Sequence, residues 1–173
     1  HHLEKQESTI KTMMVMPISP AQILASKTAA SMVLALESAV VTAAALFFIH
    51  KVTFNYLALI VFVAVAAAAH AAIGFVLSLK SKDFTTMLVA LMGYMFIFTI
   101  PSLLFSFGAI AEKYEWLLML SPSHSASHLI TAAVRGEYKG AMAAAGCIYL
   151  VVLAAALFRL AVYPAFKANA VRG

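Results

Sequence analysis

Four long apolar runs, separated by short polar stretches, dominate the pattern along the chain. They cover residues 28–49, 57–79, 84–107 and 140–163, each 22 to 24 residues long. A helix of that length crosses a ~30 Å hydrocarbon core with some tilt at 1.5 Å per residue. The apolar positions run all round each helix and do not form one stripe, which separates them from amphipathic surface helices. The pattern therefore predicts an all-α, polytopic helical membrane protein. It has four transmembrane helices in a single domain over residues 1–173.

Composition agrees. Residues of the AVILMFWYC set make up 64% of the 173 and charged residues only 11%, against ~25% charged in a soluble domain. Disorder is excluded, because that class needs low hydrophobicity and high charge. A single cysteine, Cys147, excludes an internal disulfide framework and any multi-thiolate zinc site. The net charge of +5 reports topology and not nucleic acid. With both termini cytoplasmic, Lys5, Lys11, Lys27, Lys80, Lys82, Arg159, Lys167 and Arg172 lie inside. Lys51, Lys113, Arg135 and Lys139 then lie outside. Eight basic residues against four is the asymmetry that the positive-inside rule requires. The segment 1–27 is cytoplasmic on this reading, and 108–139 is an external connector.

Candidate chemistry is sparse. The sequence holds no G-x-x-x-x-G-K-[ST] phosphate loop, no H-E-x-x-H zinc pair and no G-x-S-x-G nucleophile elbow. Glu37 lies about 14 Å inside the first span, and His70 lies at a matching depth in the second. An intramembrane carboxylate costs ~2.5–3.5 kcal/mol and faces a partner or a wet cavity. The pair is expected to meet, either as a polar spot on a substrate path or proton relay, or as a packing contact. His124 and His128 share a helix face, with Ser121-Pro122 as the start signal of that helix. Two imidazoles at this spacing bind zinc only with a third ligand. Glu112, Glu115 and Glu137 are the nearby acids. The expected reading is an external polar helix face with no metal. Pro101 is expected to kink or end the third span. Trp116, Tyr114 and Tyr138 suit a membrane interface, with short external helices on or in the outer leaflet. The alanine-rich patches at 64–69 and 141–145 are expected helix–helix contact faces.

Before the first span, Ile10, Met13 and Met14 share one face at helical spacing, and Pro17 stops that helix. Pro20 forces a second turn or starts a new helix. Such a short amphipathic helix lies on a membrane surface or docks in a groove of a partner; the pattern alone leaves both open.

Glu4-Lys5-Gln6-Glu7-Ser8-Thr9, then Pro17-Ile18-Ser19 and Lys27 before a span, resembles the signature of type-2 ABC exporter permeases. That signature reads acid-basic-acid, a spacer, Gly-Thr, about seven mostly apolar residues, Pro-aliphatic-Ser and a Lys before the span. Glu4, Lys5, Thr9, Pro17, Ser19 and Lys27 match it; Gln6 stands for the second acid and Ser8 for the glycine. Ser121-Pro122 followed by Arg135 is similar to the family's external Asn-Pro…Arg element. The resemblance covers the chain from Glu4 to about Tyr163. It implies a six-span fold of which these would be the last four, after two upstream spans. It also implies that residues 9–16 form the coupling helix, with Thr9, Ile10, Met13, Met14 and Pro17 meeting an ATP-binding cassette subunit. No cofactor is expected on this chain, and Mg-ATP would sit on the partner subunit. A second permease copy or a homologous permease would complete a dimer in a prokaryotic cell membrane. Such a protein is a transport subunit, not an enzyme. Family members export drugs, lipids, polysaccharides or peptides. The alternative is a non-transporting integral membrane structural or assembly protein.

Overall fold

The computed structural model describes residues 20–51, 55–136 and 140–171. Helix α1 (Pro20–His50) leads, followed by α2 (Tyr56–Lys80) and α3 (Phe84–Tyr94). A five-residue π segment (Met95–Thr99) joins α3 to α4 (Ile100–Ser106). A 3-10 turn (Glu112–Tyr114), α5 (Glu115–Leu118) and α6 (Pro122–Arg135) form the connector. Helix α7 (Gly140–Leu157), a second π segment (Phe158–Val162) and α8 (Tyr163–Val171) close the chain. The described residues contain no strand, so the all-α expectation holds. Among the described residues, four continuous helices are long and apolar enough to cross a membrane: Ala21–Ile49, Tyr56–Lys80, Phe84–Ser106 and Gly140–Ala165.

The first helix starts eight residues before the apolar run at Thr28, at Pro20, whose fixed φ suits a first turn. Its 31 residues make it about 46 Å long, more than a hydrocarbon core needs. The added turns carry Ile23 and Leu24, which pack on Val162 with Phe75, Val76, Leu79 and Phe158 around them. Ser26 and Lys27 break the apolar pattern there, which hid this contact. Hydroxyls farther along turn back on the helix: Ser31 donates to the Lys27 carbonyl at 3.0 Å, Ser38 to Leu34 at 3.0 Å and Thr42 to Ser38 at 2.8 Å. Each removes the cost of an unpaired polar group in an apolar setting.

Local signals set the turns. Asn55 caps α2 by accepting from the Ala58 N–H at 3.1 Å. Asp83 and Thr86 form a reciprocal capping box that starts the third span immediately after α2. Both π segments have one cause. The Ile100 N–H reaches back five residues to the Met95 carbonyl, and the Tyr163 N–H does the same to Phe158. A proline follows each, at Pro101 and Pro164. Proline lacks an N–H and crowds the carbonyl four residues back, and a widened turn before it relieves that clash. Pro101 thus modifies the third span without ending it.

Helix α2 is the hub and packs on α1, α6 and α7. The largest core cluster joins Ala66 and Ala69 of α2, Ala126 and Leu129 of α6, and Ala143, Leu150 and Ala154 of α7. Three of the α2 and α7 members, Ala66, Ala69 and Ala143, come from the two alanine-rich patches, and such small residues let the backbones approach closely. A second cluster joins Ala43 of α1, Leu59 and Val63 of α2, and Ala133 of α6.

Candidate functional site

A group of hydrogen-bonding side chains gathers around α6. Ser121 caps it by accepting from the His124 N–H, and Pro122 occupies the first turn. At the other end Gly136, at φ 69°, takes the left-handed conformation that terminates a helix most cheaply. One face of α6 is apolar and enters the two clusters just described. The other meets the third span through hydrogen bonds. Ser123 Oγ lies 3.1 Å from the Tyr94 hydroxyl and 3.1 Å from Thr99 Oγ1. Ser121 Oγ donates to the Phe98 carbonyl, inside the π segment, at 2.9 Å. His124 Nδ1 lies 3.2 Å from Ser102 Oγ, with the ring edge-on to Phe105 at 5.1 Å.

Next to this seam a cavity of about 500 Å³ opens. Its lining includes Phe105 and Ser106 of α4, Glu112 of the 3-10 turn, Glu115 of α5, and His124, Ser127, His128, Thr131 and Arg135 of α6. His128 Nδ1 meets Glu115 Oε1 at 3.1 Å, with the two side chains only 12% and 9% exposed. His124 is 3% exposed. Burial pushes its pKa below the ordinary value, the Glu115 carboxylate pulls it back in part, and His128 adds to the lowering. Nε2 of both histidines is buried without a hydrogen-bond partner. Glu112 and Arg135 stand exposed at the same cavity. The arrangement therefore presents both signs of charge near solvent, with two largely buried imidazoles beneath, of which His124 is held toward its neutral form by burial.

The expected external polar face at His124 and His128 is thus corrected. Both rings turn inward, because Ser102 and Glu115 satisfy their Nδ1 atoms there. Among the described residues, no group of three His, Cys, Asp or Glu side chains is placed to hold a metal ion. No hydrogen bond or ion pair among the described residues joins Glu37 to His70. Helix α1 meets α2 through Ala43 against Leu59 and Val63, whereas His70 turns toward the third span. There its ring stands edge-on to Tyr94 at 6.1 Å, and its Nδ1 bonds the Ala66 carbonyl at 2.8 Å. Glu37 is exposed, on the same side of α1 as Val33, Leu34, Val40 and Val41, which are 58% to 64% exposed. Thr9, Ile10, Met13, Met14 and Pro17 lie outside the described residues, as do Glu137 and Tyr138.

Sequence reasoning missed Tyr94, Thr99, Ser102 and Ser123 as members of the polar seam. The alternation Ser121, Ser123, Ser125 was the available signal, together with hydroxyls on both sides of Pro101. Trp116 and Tyr114 are 65% and 48% exposed.

No curated protein and no solved structure matches the chain. A family described as ABC-2 family transporter protein matches residues 3–163. That match takes in the amino-terminal signature, all four spans and the α6 connector, so the chain belongs to the ABC-2 transporter family and is an ABC transporter membrane subunit.

Proposed function

We propose that this subunit is the permease of an ATP-driven exporter, moving its substrate when a partner ATPase changes shape. One observation carries the reading. The chain is an ABC-2 family membrane subunit, and these 173 residues hold no phosphate-binding loop, which supports Mg-ATP being bound outside them, on an ATPase subunit. Residues 9–16 are the contact. Their apolar face of Ile10, Met13 and Met14 suits a groove, and methionine adapts to a partner that alters shape. Pro17 and Pro20 then hand the motion to α1, so that a push on the helix tilts the first span. The basic-residue asymmetry supports both ends of the chain lying in the cytoplasm and the α6 connector outside. A second membrane subunit, identical or homologous, covers the sides of α1 and the third span that this chain leaves exposed. Glu37, on one of those sides, then faces the shared interface or the substrate path and not lipid, where a lone carboxylate is costly.

The experiment is co-purification of the full chain with its ATPase subunit, coupled to a transport assay. Met13→Asp and Met14→Asp should release the ATPase or uncouple hydrolysis from transport, while membrane insertion is unchanged. One or two such anchors dominate a small interface, so a single charge there is expected to suffice. Native association and native transport in both variants would sink the coupling assignment.

A further inference from the structure

We propose that the cavity beside α6 binds a zwitterion in which a phosphate and an ammonium are joined by a short linker, the chemistry of a phosphoethanolamine headgroup. Arg135 takes the phosphate and Glu112 the ammonium. The space, about 500 Å³, falls within the ~300–1,000 Å³ range of small-molecule sites. Both charged residues line it and both are exposed. Among the described residues, neither enters an ion pair, with the other or with any third group. Opposite charges that share a cavity without neutralising each other leave each available to the opposite end of one ligand. Glu115 and His128 are not available in that way, because they are committed to each other at 3.1 Å in the wall.

The α6 side of the cavity supplies further donors. Ser127, Thr131 and Arg135 all line it and follow one another at four-residue spacing, which stacks them on one helix face. In α1 the hydroxyls of Ser31, Ser38 and Thr42 bond back to a carbonyl. Among the described residues, no such bond engages the side chain of Ser127 or Thr131. A guanidinium fork followed by two hydroxyls suits a phosphate, whose several oxygens are strong acceptors, better than a carboxylate with two. The rim favours a source for the ligand. Leu103 and Phe107 at the end of the third span, and Trp116 and Leu117 beyond it, are exposed. They stand next in sequence to the lining residues Phe105, Ser106 and Glu115. In a membrane subunit such side chains have acyl chains to lie against, and tryptophan favours headgroup depth. These surroundings favour a lipid headgroup over a free solute. The site does not depend on the exporter reading, because all its parts lie in this chain.

The test is native mass spectrometry of the full chain in detergent, titrated with three probes. They are a phosphatidylethanolamine, a phosphatidylglycerol, whose headgroup has the phosphate but no ammonium, and free O-phosphoethanolamine. One tightly held phosphatidylethanolamine per chain is expected, bound about tenfold more strongly than phosphatidylglycerol. Glu112→Gln should erase that preference without weakening phosphatidylglycerol. Arg135→Gln should weaken both lipids about tenfold, since it removes the charge-assisted bonds to phosphate. Both residues are exposed, so the variants should keep the native helix content, which circular dichroism checks. O-phosphoethanolamine bound as tightly as the lipid would support the site with a soluble source; weaker binding of it would support the site with a membrane source. Equal affinity of the native chain for the two lipids overturns the proposal. So does a preference for phosphatidylethanolamine that survives undiminished in folded Glu112→Gln.

Discussion

The two sides of α6 are built on opposite principles. On one, Ala126, Leu129 and Ala133 enter close-packed clusters with α2, α7 and α1, and Leu129 and Ala133 are fully buried. On the other, Ser121, Ser123 and His124 hold the third span with hydroxyl and imidazole hydrogen bonds. An apolar contact of alanines has no alternative arrangement of similar energy, because separating it opens a void. A hydroxyl bond can be exchanged for one to water, and interhelical hydrogen bonds in membrane proteins average only ~0.6 kcal/mol. The apolar side therefore fixes α6 to the second and fourth spans, while the polar side is the one at which the third span can let go. The π segment at Met95–Thr99, which supplies Thr99 and the Phe98 carbonyl, sits on that releasable side.

The largest effect tests the fixed side. Leu129→Ala should destabilise the chain by about 2–5 kcal/mol, as buried leucine truncations do, read as a drop in thermal midpoint in detergent. Val40→Ala, on the exposed side of α1, should change the midpoint of the isolated chain little. Equal losses from the two would erase the distinction between packed and open surfaces.

Ser123→Ala tests the releasable side and should cost about 1–2 kcal/mol, for two modest hydrogen bonds. Its distinguishing sign is local. Hydrogen exchange should rise across residues 95–106 while α2 and α7 keep their protection. A uniform rise through all four spans would mean that the third span is not separately releasable.

Acidification acts on the same side. His124 has its pKa lowered by burial, so near the ordinary value of 6.5 the folded chain binds fewer protons there than the unfolded chain. Its contribution is complete above pH 6.5 and is lost as pH falls below it, levelling off once the folded ring also protonates. Glu115 opposes the lowering and His128 adds to it, with Glu112 and Arg135 at the same cavity. A pH series of thermal midpoints should show this slope in the native chain and a shallower one in folded His124→Gln. Identical slopes would remove His124 as the responsible group.

Gly146→Ala should give the smallest change, within about 1 kcal/mol. A methyl group there would meet Met119 Cε at 2.9 Å, the end of a flexible side chain that can swing aside, and alanine gains helix propensity over glycine. A loss as large as that of Leu129→Ala would show Met119 to be locked in place.

The sequence by itself determined the number of spans and their order, since runs of 22 to 24 apolar residues admit few other structures and lipid demands internally satisfied backbones. It also marked the helix start at Ser121-Pro122 and carried the family resemblance in the residues around Thr9 and Pro17. Which side of each helix meets which neighbour was decided only in three dimensions. Helices apolar all round carry no periodic signal of facing, and small residues pack through backbone proximity that a one-dimensional pattern does not display. Glu37 and His70 illustrate this: their depths match along the chain, yet α2 offers Leu59 and Val63 to α1 and His70 to Tyr94. His124 illustrates the converse. Its pattern reads as a solvated face, and only the arrival of Ser102 from the third span makes its burial affordable.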